Sequence, residues 1–357
     1  MTTTPTPAAA TGGARALLRI TDPRLDEVSG LAPGHRSPGV YYVQNDSGDE
    51  NRFFGIDART GATVATVHVA GATNVDWEDI ATAGRGTAAA VWLADIGDND
   101  AQRDEVRVYR VREPRLAADE RDGDVTTARA DVWRLRYPGG PVDAESLAVS
   151  PAGTAYVVTK SLTGTSTVYR VPARPSRERV RALTRVARVT FSFTGTPGGP
   201  NAFGQLTATG AAFSTDGRLF AVRTYTDAYV WRVGAGGDLA AALRATPTRV
   251  ALPAQPQGEG IAIVGRRLLV DSEGTRQRVW SVPLPAAVVG TADSTPAPTS
   301  SPSRSPATRS PRTMAAGSSD GGSGDSDGDG DEVVRYLVGG ALVIVLAGVV
   351  LAVTRRR

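Results

Sequence analysis

The sequence predicts an all-β fold, a five-bladed β-propeller, and three observations support this prediction. Short apolar runs separated by Gly, Pro, Asp and Asn fill residues 14–290, with helical spacing only near residues 239–243. A strand with a central aromatic residue recurs five times. A spare N-terminal strand, residues 16–21, supplies the strand that the last repeat lacks and would close the ring of sheets.

The repeated aromatic residues mark one strand in each unit. They are separated by 49 to 62 positions, which is long enough for four short strands. They are Phe54, Tyr109, Tyr169, Trp231 and Trp280. We expect these side chains to pack between blades rather than to bind a ligand. A six-bladed arrangement stays open, because the longer repeats contain insertions.

Each aromatic strand is the third of a predicted four-stranded unit. The more apolar second strands are residues 40–43, 90–94, 155–158, 219–222 and 268–270. The fourth strands are residues 63–69, 131–137, 186–193 and 248–252. The fifth unit has no fourth strand of its own, because a Ser/Thr/Pro-rich stretch begins there.

Composition excludes several kinds of site. The 357 residues contain no cysteine, which rules out disulfides, thiolate metal sites and Cys nucleophiles. The formal net charge is +3, and the basic residues are scattered rather than clustered, so nucleic acid is not an expected partner. His35 and His68 fall in a predicted turn and an outer strand, which argues against a His-based triad or a zinc site.

A ring of polar residues is predicted around the axis. They stand two positions before the first apolar residue of each first strand, and first strands line the central channel. These predicted metal ligands are Ser29, Glu78, Glu145, Thr209 and Glu259. Three carboxylates about 6 Å apart repel by roughly 8 kcal/mol in total at an effective dielectric of 20, so protonation, an arginine, water or a cation must offset the repulsion. The all-oxygen set favours Ca²⁺, and a metal-free, water-filled channel is the alternative.

Candidate catalytic residues follow the second strands, which all end on one face of a propeller. They are Asp46, Asp95, Asp98, Lys160, Arg223 and Asp271. Beside an axial Ca²⁺, Lys160 and Arg223 would hold a phosphate while an acid positions water. The alternative is ordinary turn chemistry, because Asn, Asp, Ser and Gly favour turns regardless of function.

Four segments carry a resemblance to known proteins. They are Glu-Val-Ser-Gly-Leu at 27–31, Asn-Asp-Ser-Gly at 45–48, Asp-Trp-Glu-Asp-Ile-Ala at 76–81 and Asp-Ile-Gly-Asp-Asn at 95–99. They resemble a group of secreted bacterial propellers, mostly of unassigned function, which are loosely similar to the esterase-like phytase and SdiA-regulated propellers. One Ser, Thr or Glu per blade is also similar to the calcium-dependent apyrases. The resemblance covers residues 14–285 and implies a propeller with an axial calcium ion. The remainder of an apyrase active site is not found.

A single transmembrane helix is predicted at residues 333–354. The uncharged stretch 336–354 would span about 28 Å as a helix, close to the thickness of a hydrocarbon core. Three arginines follow at 355–357 and acidic residues precede it, so the propeller is expected outside and the tail in the cytoplasm. A buried core helix is the alternative.

The remaining segments are predicted to be disordered. Residues 291–332 are Ser, Thr, Pro, Gly and Asp with few large apolar residues, which favours a stalk. An Asp-rich run at 325–331 resembles a calcium loop, but Tyr336 stands where the twelfth-position acid belongs. Residues 1–13 show no signal peptide. Either the true start lies upstream or the protein is tail-anchored, and the arginine tail favours the upstream start.

Two functions fit these features. The first is a single-pass cell-membrane protein whose extracellular propeller binds an unidentified ligand. The second is a calcium-dependent phosphoester hydrolase of the nucleotidase or phytase kind. Fold alone does not choose between them. We expect the binding function, because a hydrolase needs an assembled pocket in addition to a metal.

Overall fold

Five sheets surround a central axis in the computed structural model, which describes residues 13–117, 119 and 123–289. The predicted all-β, five-bladed propeller is therefore confirmed. In chain order, the strands of the N-terminal half are β1 (Arg15–Arg19), β2 (Val28–Pro33), β3 (Val40–Asn45), β4 (Arg52–Asp57), β5 (Thr63–His68), β6 (Trp77–Ala83), β7 (Ala90–Asp95), β8 (Val106–Arg112), β9 (Gly123–Thr126), β10 (Asp131–Arg136) and β11 (Ala144–Val149). The others are β12 (Ala155–Thr159), β13 (Thr165–Arg170), β14 (Ser176–Ala182), β15 (Thr184–Thr190), β16 (Ala208–Phe213), β17 (Leu219–Thr224), β18 (Asp227–Arg232), β19 (Thr248–Ala251), β20 (Ile261–Val264), β21 (Arg267–Val270) and β22 (Arg278–Pro283).

The blades follow one another along the chain, with the innermost strand first. Blade 1 runs β2-β3-β4-β5, blade 2 β6-β7-β8-β10, blade 3 β11-β12-β13-β15 and blade 4 β16-β17-β18-β19. Blade 5 runs β20-β21-β22 and is completed by β1, which pairs antiparallel with β22 and sets Ala16 opposite Trp280. The predicted closure by the N-terminal strand is therefore confirmed, and it gives β22 a partner along its outer edge.

Two outer strands were not predicted from the sequence. Strand β9 lies in the insertion between β8 and β10, yet it pairs in parallel with β5 of blade 1. Strand β14 lies in the insertion between β13 and β15 and pairs in parallel with β10 of blade 2. Both strands are largely exposed and polar, so they lack the apolar alternation that marks a strand with a buried face.

The helices among the described residues are all short. They are α1 (Leu239–Ala242), α2 (Ala286–Val289) and two 3-10 turns at Gly86–Ala88 and Ala202–Gln205. The helical turn expected near residues 239–243 is confirmed by α1, whose first turn is capped by the Asp238 carboxylate accepting from the Ala241 amide. No helix in this part of the chain is long and apolar enough to cross a membrane. The predicted stalk and transmembrane helix, and nearly all of the predicted disordered N-terminus, lie outside the described residues.

Apolar side chains fill the spaces between neighbouring blades. Five clusters lie between successive blades around the ring, including one between blades 5 and 1. The five repeated aromatic residues all pack in or against these clusters, which confirms that they pack between blades: Phe54, Tyr109, Tyr169, Trp231 and Trp280. The core is thus a series of layers arranged around the axis, and the innermost strands are left to line the channel.

Candidate functional site

A β-bulge lies at the start of the innermost strand in each of the first four blades. On β2, for example, Val28 lies opposite Asn45 and Gly30 opposite Gln44, so Ser29 is the extra residue. The extra residues of β6, β11 and β16 are Glu78, Glu145 and Thr209. Glu259 stands at the matching position before β20, two residues ahead of Ile261. The five predicted ligands therefore share one structural position, at the end of the channel where second strands finish. We call this end the acidic mouth.

The two hydroxyls of this set bind backbone. Ser29 Oγ donates to the carbonyl of Glu78 at 2.6 Å, and Thr209 Oγ1 donates to the carbonyl of Gly258 at 2.9 Å. Each bond joins one blade to the next. The hydroxyls therefore stabilise the ring of innermost strands, while the three glutamates carry the charge of the acidic mouth.

Three carboxylates converge between blades 1 and 2. One oxygen from each of Asp46, Asp76 and Glu78 lies within 4.8 Å of the others. Asp46 follows β3, Asp76 precedes β6, and Glu78 is the bulge residue of β6. Within the described ranges, this is the one group of three or more Asp, Glu or His residues close enough to share a metal ion. Sequence reasoning missed Asp76 as a ligand, although it stands two residues before Glu78 in the same motif.

Burial makes these three groups reluctant to ionise. Glu78 is 2% exposed, and burial, followed by the charges of Asp46 and Asp76, raises its pKa well above the ordinary value. Burial and the Asp76 charge raise the pKa of Asp46 to about 7. Burial likewise raises the pKa of Asp76. A cation placed among them would favour the ionised forms.

The other two glutamates of the set have different partners. Glu145 is ion-paired with Lys160, the single lysine of the chain, whose side chain is 19% exposed. Glu259 is buried, and its Oε2 makes no hydrogen bond. Burial raises the pKa of Glu259, with Lys160 opposing and Glu273 reinforcing the shift. Lys160 therefore acts electrostatically on both Glu259 and Glu78.

Two of the six candidate catalytic residues hold the loop after β7. Asp95 Oδ1 accepts from Arg103 at 2.6 Å and from the Asp76 amide at 3.2 Å, so it positions Asp76. Asp98 accepts from the amides of Gln102 and Arg103, both at 2.8 Å. These are the turn contacts that the alternative interpretation expected of such residues.

Arg223 and Asp271 join blades 4 and 5. Arg223 is fully buried, and its guanidinium donates to four carbonyls and to Gln255 Oε1, so none of its five N–H groups is left for a phosphate. Asp271 Oδ1 accepts from the Gly260 amide at 2.7 Å. Burial raises the pKa of Asp271 to about 6, against the opposing charge of Arg223. Of the six candidates, Asp46 and Lys160 are the two that face the carboxylates of the acidic mouth.

Glu273 adds a further carboxylate near the acidic mouth. Burial, followed by the charge of Glu27, raises its pKa to about 7. Its charge also acts on Asp46 and Glu259. The site thus combines at least five interacting carboxylates with one lysine, a balance that favours binding of a cation.

Comparisons with known proteins give likeness of fold only. No protein-family model and no curated protein matches the chain. Among solved structures, the PQQ-bound aldose sugar dehydrogenase of Streptomyces coelicolor is 14% identical over 77% of this chain and 99% of its own, with a TM-score of 0.39. A gluconolactonase of Xanthomonas campestris is 16% identical over 77% and 91%, with a TM-score of 0.37. The Swd1 β-propeller domain of Myceliophteria thermophila is 10% identical over 71% and 83%, with a TM-score of 0.35. Because the identities are 10–16% and the TM-scores are 0.35–0.39, none of these structures carries an argument about the activity of this chain.

Proposed function

We propose that the acidic mouth binds Ca²⁺ and that the protein is a ligand-binding propeller displayed on the cell surface. The observation that carries this proposal is the convergence of Asp46, Asp76 and Glu78, whose oxygens lie within 4.8 Å of one another. Calcium–oxygen bonds measure about 2.3–2.6 Å, so two ligands of one ion are at most about 5 Å apart. The spacing therefore suits a shared calcium ion, and carboxylate oxygens are its preferred ligands.

The charge of the site supports the same proposal. Three partly or fully buried carboxylates with raised pKa values repel one another when ionised, and a divalent cation would offset that repulsion. Lys160 sits beside the site without belonging to the group of three. A bound cation together with Lys160 would favour an anionic or hydroxyl-rich ligand, which is the chemical class that we propose for the unidentified extracellular partner.

Calorimetric titration of the chelator-treated protein with Ca²⁺ tests the proposal. We expect saturable binding that Asp76→Asn weakens at least tenfold, because the substitution removes a charged ligand. Asp100→Asn makes the same change at an exposed position in the neighbouring loop and should leave the affinity unchanged. Equal affinities of the wild type and Asp76→Asn, or no binding by the folded wild type, would refute the proposed site.

One variant separates this ligand set from the five-residue axial ring that the sequence predicts. Glu145 belongs to the predicted ring, but in the structure it is paired with Lys160. Glu145→Gln should change calcium affinity little if Asp46, Asp76 and Glu78 hold the ion. A loss as large as that of Asp76→Asn would favour the axial ring.

A calcium-dependent phosphoester hydrolase is the second candidate. The observation that favours it is Lys160, which lies beside the carboxylates of the site and would hold a phosphate next to a bound cation. Against it, Arg223 has no free N–H group for a phosphate. Hydrolysis of a nucleoside diphosphate or phytate that is abolished by both EDTA and Asp46→Asn would establish this second function.

The membrane placement is part of the proposal. It rests on the uncharged stretch 336–354, on the three arginines at 355–357 and on the acidic residues before the helix. We propose a single-pass protein with the propeller on the extracellular side and residues 291–332 as the stalk. Such an arrangement would present the acidic mouth to ligands outside the cell, where calcium is abundant enough to occupy sites of modest affinity.

A further inference from the structure

The part of the central channel beyond the acidic mouth, lined by the later residues of the innermost strands, differs from the mouth in its chemistry. It is a cavity of about 320 Å³ lined by the later residues of all five innermost strands. Its walls are mainly apolar and contain several alanines, among them Ala32, Ala81, Ala211, Ala212 and Ala262. Neither the four bulge residues of the acidic mouth nor Glu259 lines it. We call this cavity the apolar chamber.

Tight backbone packing separates the apolar chamber from the acidic mouth. A Cβ added to Gly30 would lie 2.7 Å from the Ile80 amide nitrogen, and one added to Gly260 would lie 2.7 Å from the Leu31 amide nitrogen. Asp79 fills the same layer, where its carboxylate accepts from the amides of Ile80 and Leu147. The channel is constricted at this level, so the chamber and the mouth are two sites rather than one.

The rim of the apolar chamber is basic. Exposed Arg85 lines the chamber and also a neighbouring groove that contains three more arginines, Arg218, Arg232 and Arg266. The acidic residue of that groove, Asp216, already accepts hydrogen bonds from Ser214 Oγ and the Arg218 amide. His35, at the rim, uses Nδ1 to bond the Gly84 carbonyl at 2.8 Å. An anionic group at the entrance would therefore meet positive charge.

We propose that the apolar chamber binds an amphipathic anion, a single alkyl chain whose anionic head group lies at Arg85. The chain would cover apolar walls that otherwise face water, and the volume falls at the lower end of the range for ligand pockets. This site is independent of calcium and of the acidic mouth.

Calorimetry with free dodecanoate, decanoate and dodecanol tests the proposal on the full chain. Each methylene buried should raise affinity about fourfold, so decanoate should bind roughly 15-fold more weakly than dodecanoate. Chelator and Asp76→Asn should have no effect, which separates this site from the calcium site. No saturable binding, or an affinity that does not depend on chain length, would overturn the proposal.

Two variants with matched controls locate the ligand. Ala88→Trp places a bulky ring at the exposed entrance and should weaken dodecanoate binding at least tenfold, whereas Ala152→Trp, in an exposed turn outside the chamber, should not. Arg85→Glu should weaken dodecanoate several-fold and leave dodecanol unchanged, whereas Arg188→Glu on an outer strand should affect neither. Normal binding by Ala88→Trp would exclude the chamber, and an equal effect of Arg85→Glu on acid and alcohol would exclude the assigned head-group contact.

An alkyl chain with an anionic head group can come from a free carboxylate or from an anionic membrane lipid. A binding experiment with anionic phospholipid vesicles distinguishes these two sources. Binding of both dodecanoate and anionic phospholipid vesicles that Ala88→Trp abolishes would support the chamber with a lipid source. Binding of dodecanoate alone would support a free ligand. Vesicle binding that Arg85→Glu abolishes but Ala88→Trp does not would assign the arginines to a surface contact and overturn the proposal.

Discussion

Asp79 ties the innermost strands together at the axis. Its Oδ2 accepts from the Leu147 amide at 2.7 Å and lies 3.4 Å from the Ala211 amide nitrogen, while Oδ1 accepts from the Ile80 amide at 2.8 Å. These amides belong to equivalent positions in blades 2, 3 and 4. At this position the other blades carry Gly or Ser, so a single carboxylate serves three blades.

Removing this carboxylate should destabilise the whole propeller. Asp79→Ala leaves the buried Ile80 and Leu147 amides without an acceptor, at about 1–3 kcal/mol for each. Asp79→Asn should also be costly, because its NH₂ group replaces one accepting oxygen. Urea denaturation gives the free energy of unfolding, and Asp100→Asn serves as an exposed control. A loss below about 0.5 kcal/mol for Asp79→Ala would contradict this role.

The pKa of Asp46 predicts how calcium affinity depends on pH. Only the carboxylate binds Ca²⁺, so with a pKa of about 7 the apparent affinity should fall about tenfold between pH 8 and pH 6. Without calcium, Asp46 should lower the free energy of unfolding as pH rises from 3.8 to about 7, because over that interval the unfolded chain ionises first. Calorimetric and denaturation series over this range measure both effects. Asp46→Asn should flatten the stability trend, and an unchanged trend would contradict the assignment.

Among the structural elements, β1 decides whether the ring is closed. Ile20 directly follows β1, is 1% exposed and packs in the apolar layer between blades 5 and 1. Its amide donates to the Gln277 carbonyl at 3.0 Å, which continues the pairing with the last blade. The N-terminal strand therefore contributes both hydrogen bonds and core packing to a blade formed by the other end of the domain.

Shortening one side chain tests this closure. Ile20→Ala should lower the free energy of unfolding by about 2–5 kcal/mol, because it leaves a cavity between two blades. Arg15→Ala, at an exposed position of β1, should stay within about 0.5 kcal/mol of the wild type. Thermal or urea denaturation distinguishes the two variants. Equal stability of both would contradict the core-packing role assigned to Ile20.

At the scale of the whole molecule, the layers between blades and the two ends of the central channel differ in chemistry. Apolar layers hold successive blades together. Along the axis, the carboxylate-rich mouth lies at one end of the channel and the apolar chamber with its basic rim lies at the other. The acidic mouth is built by loops and strand ends of several blades. The apolar chamber is lined by all five innermost strands, and it therefore depends on complete closure of the ring.

The proposed membrane attachment is also tested at the scale of the whole chain. The full-length protein should sediment with membranes, and a variant ending at residue 332 should be released, because it lacks the proposed helix. A variant ending at residue 354 keeps the helix and loses only the arginines, so it should remain membrane-bound. Fractionation followed by immunoblotting measures the distribution. Full-length protein in the soluble fraction would contradict the proposed anchor.

The sequence by itself determined the propeller, its closure by the N-terminal strand and the shared position of Ser29, Glu78, Glu145, Thr209 and Glu259, and it favoured five blades while leaving six open. It could do so because strand alternation and the recurring aromatic residue are local signals that repeat in every blade. It did not reveal β9 and β14, whose exposed residues carry no periodic apolar face.

Only the tertiary structure decided which of the polar residues act together. Asp46 and Asp76 are far apart in sequence and meet Glu78 because blades 1 and 2 are neighbours at the axis. The five N–H groups of Arg223 all donate to four backbone carbonyls and to Gln255 Oε1, contacts that no sequence pattern predicts. The apolar chamber likewise exists only where five innermost strands converge, since each contributes a few small residues that mean little alone.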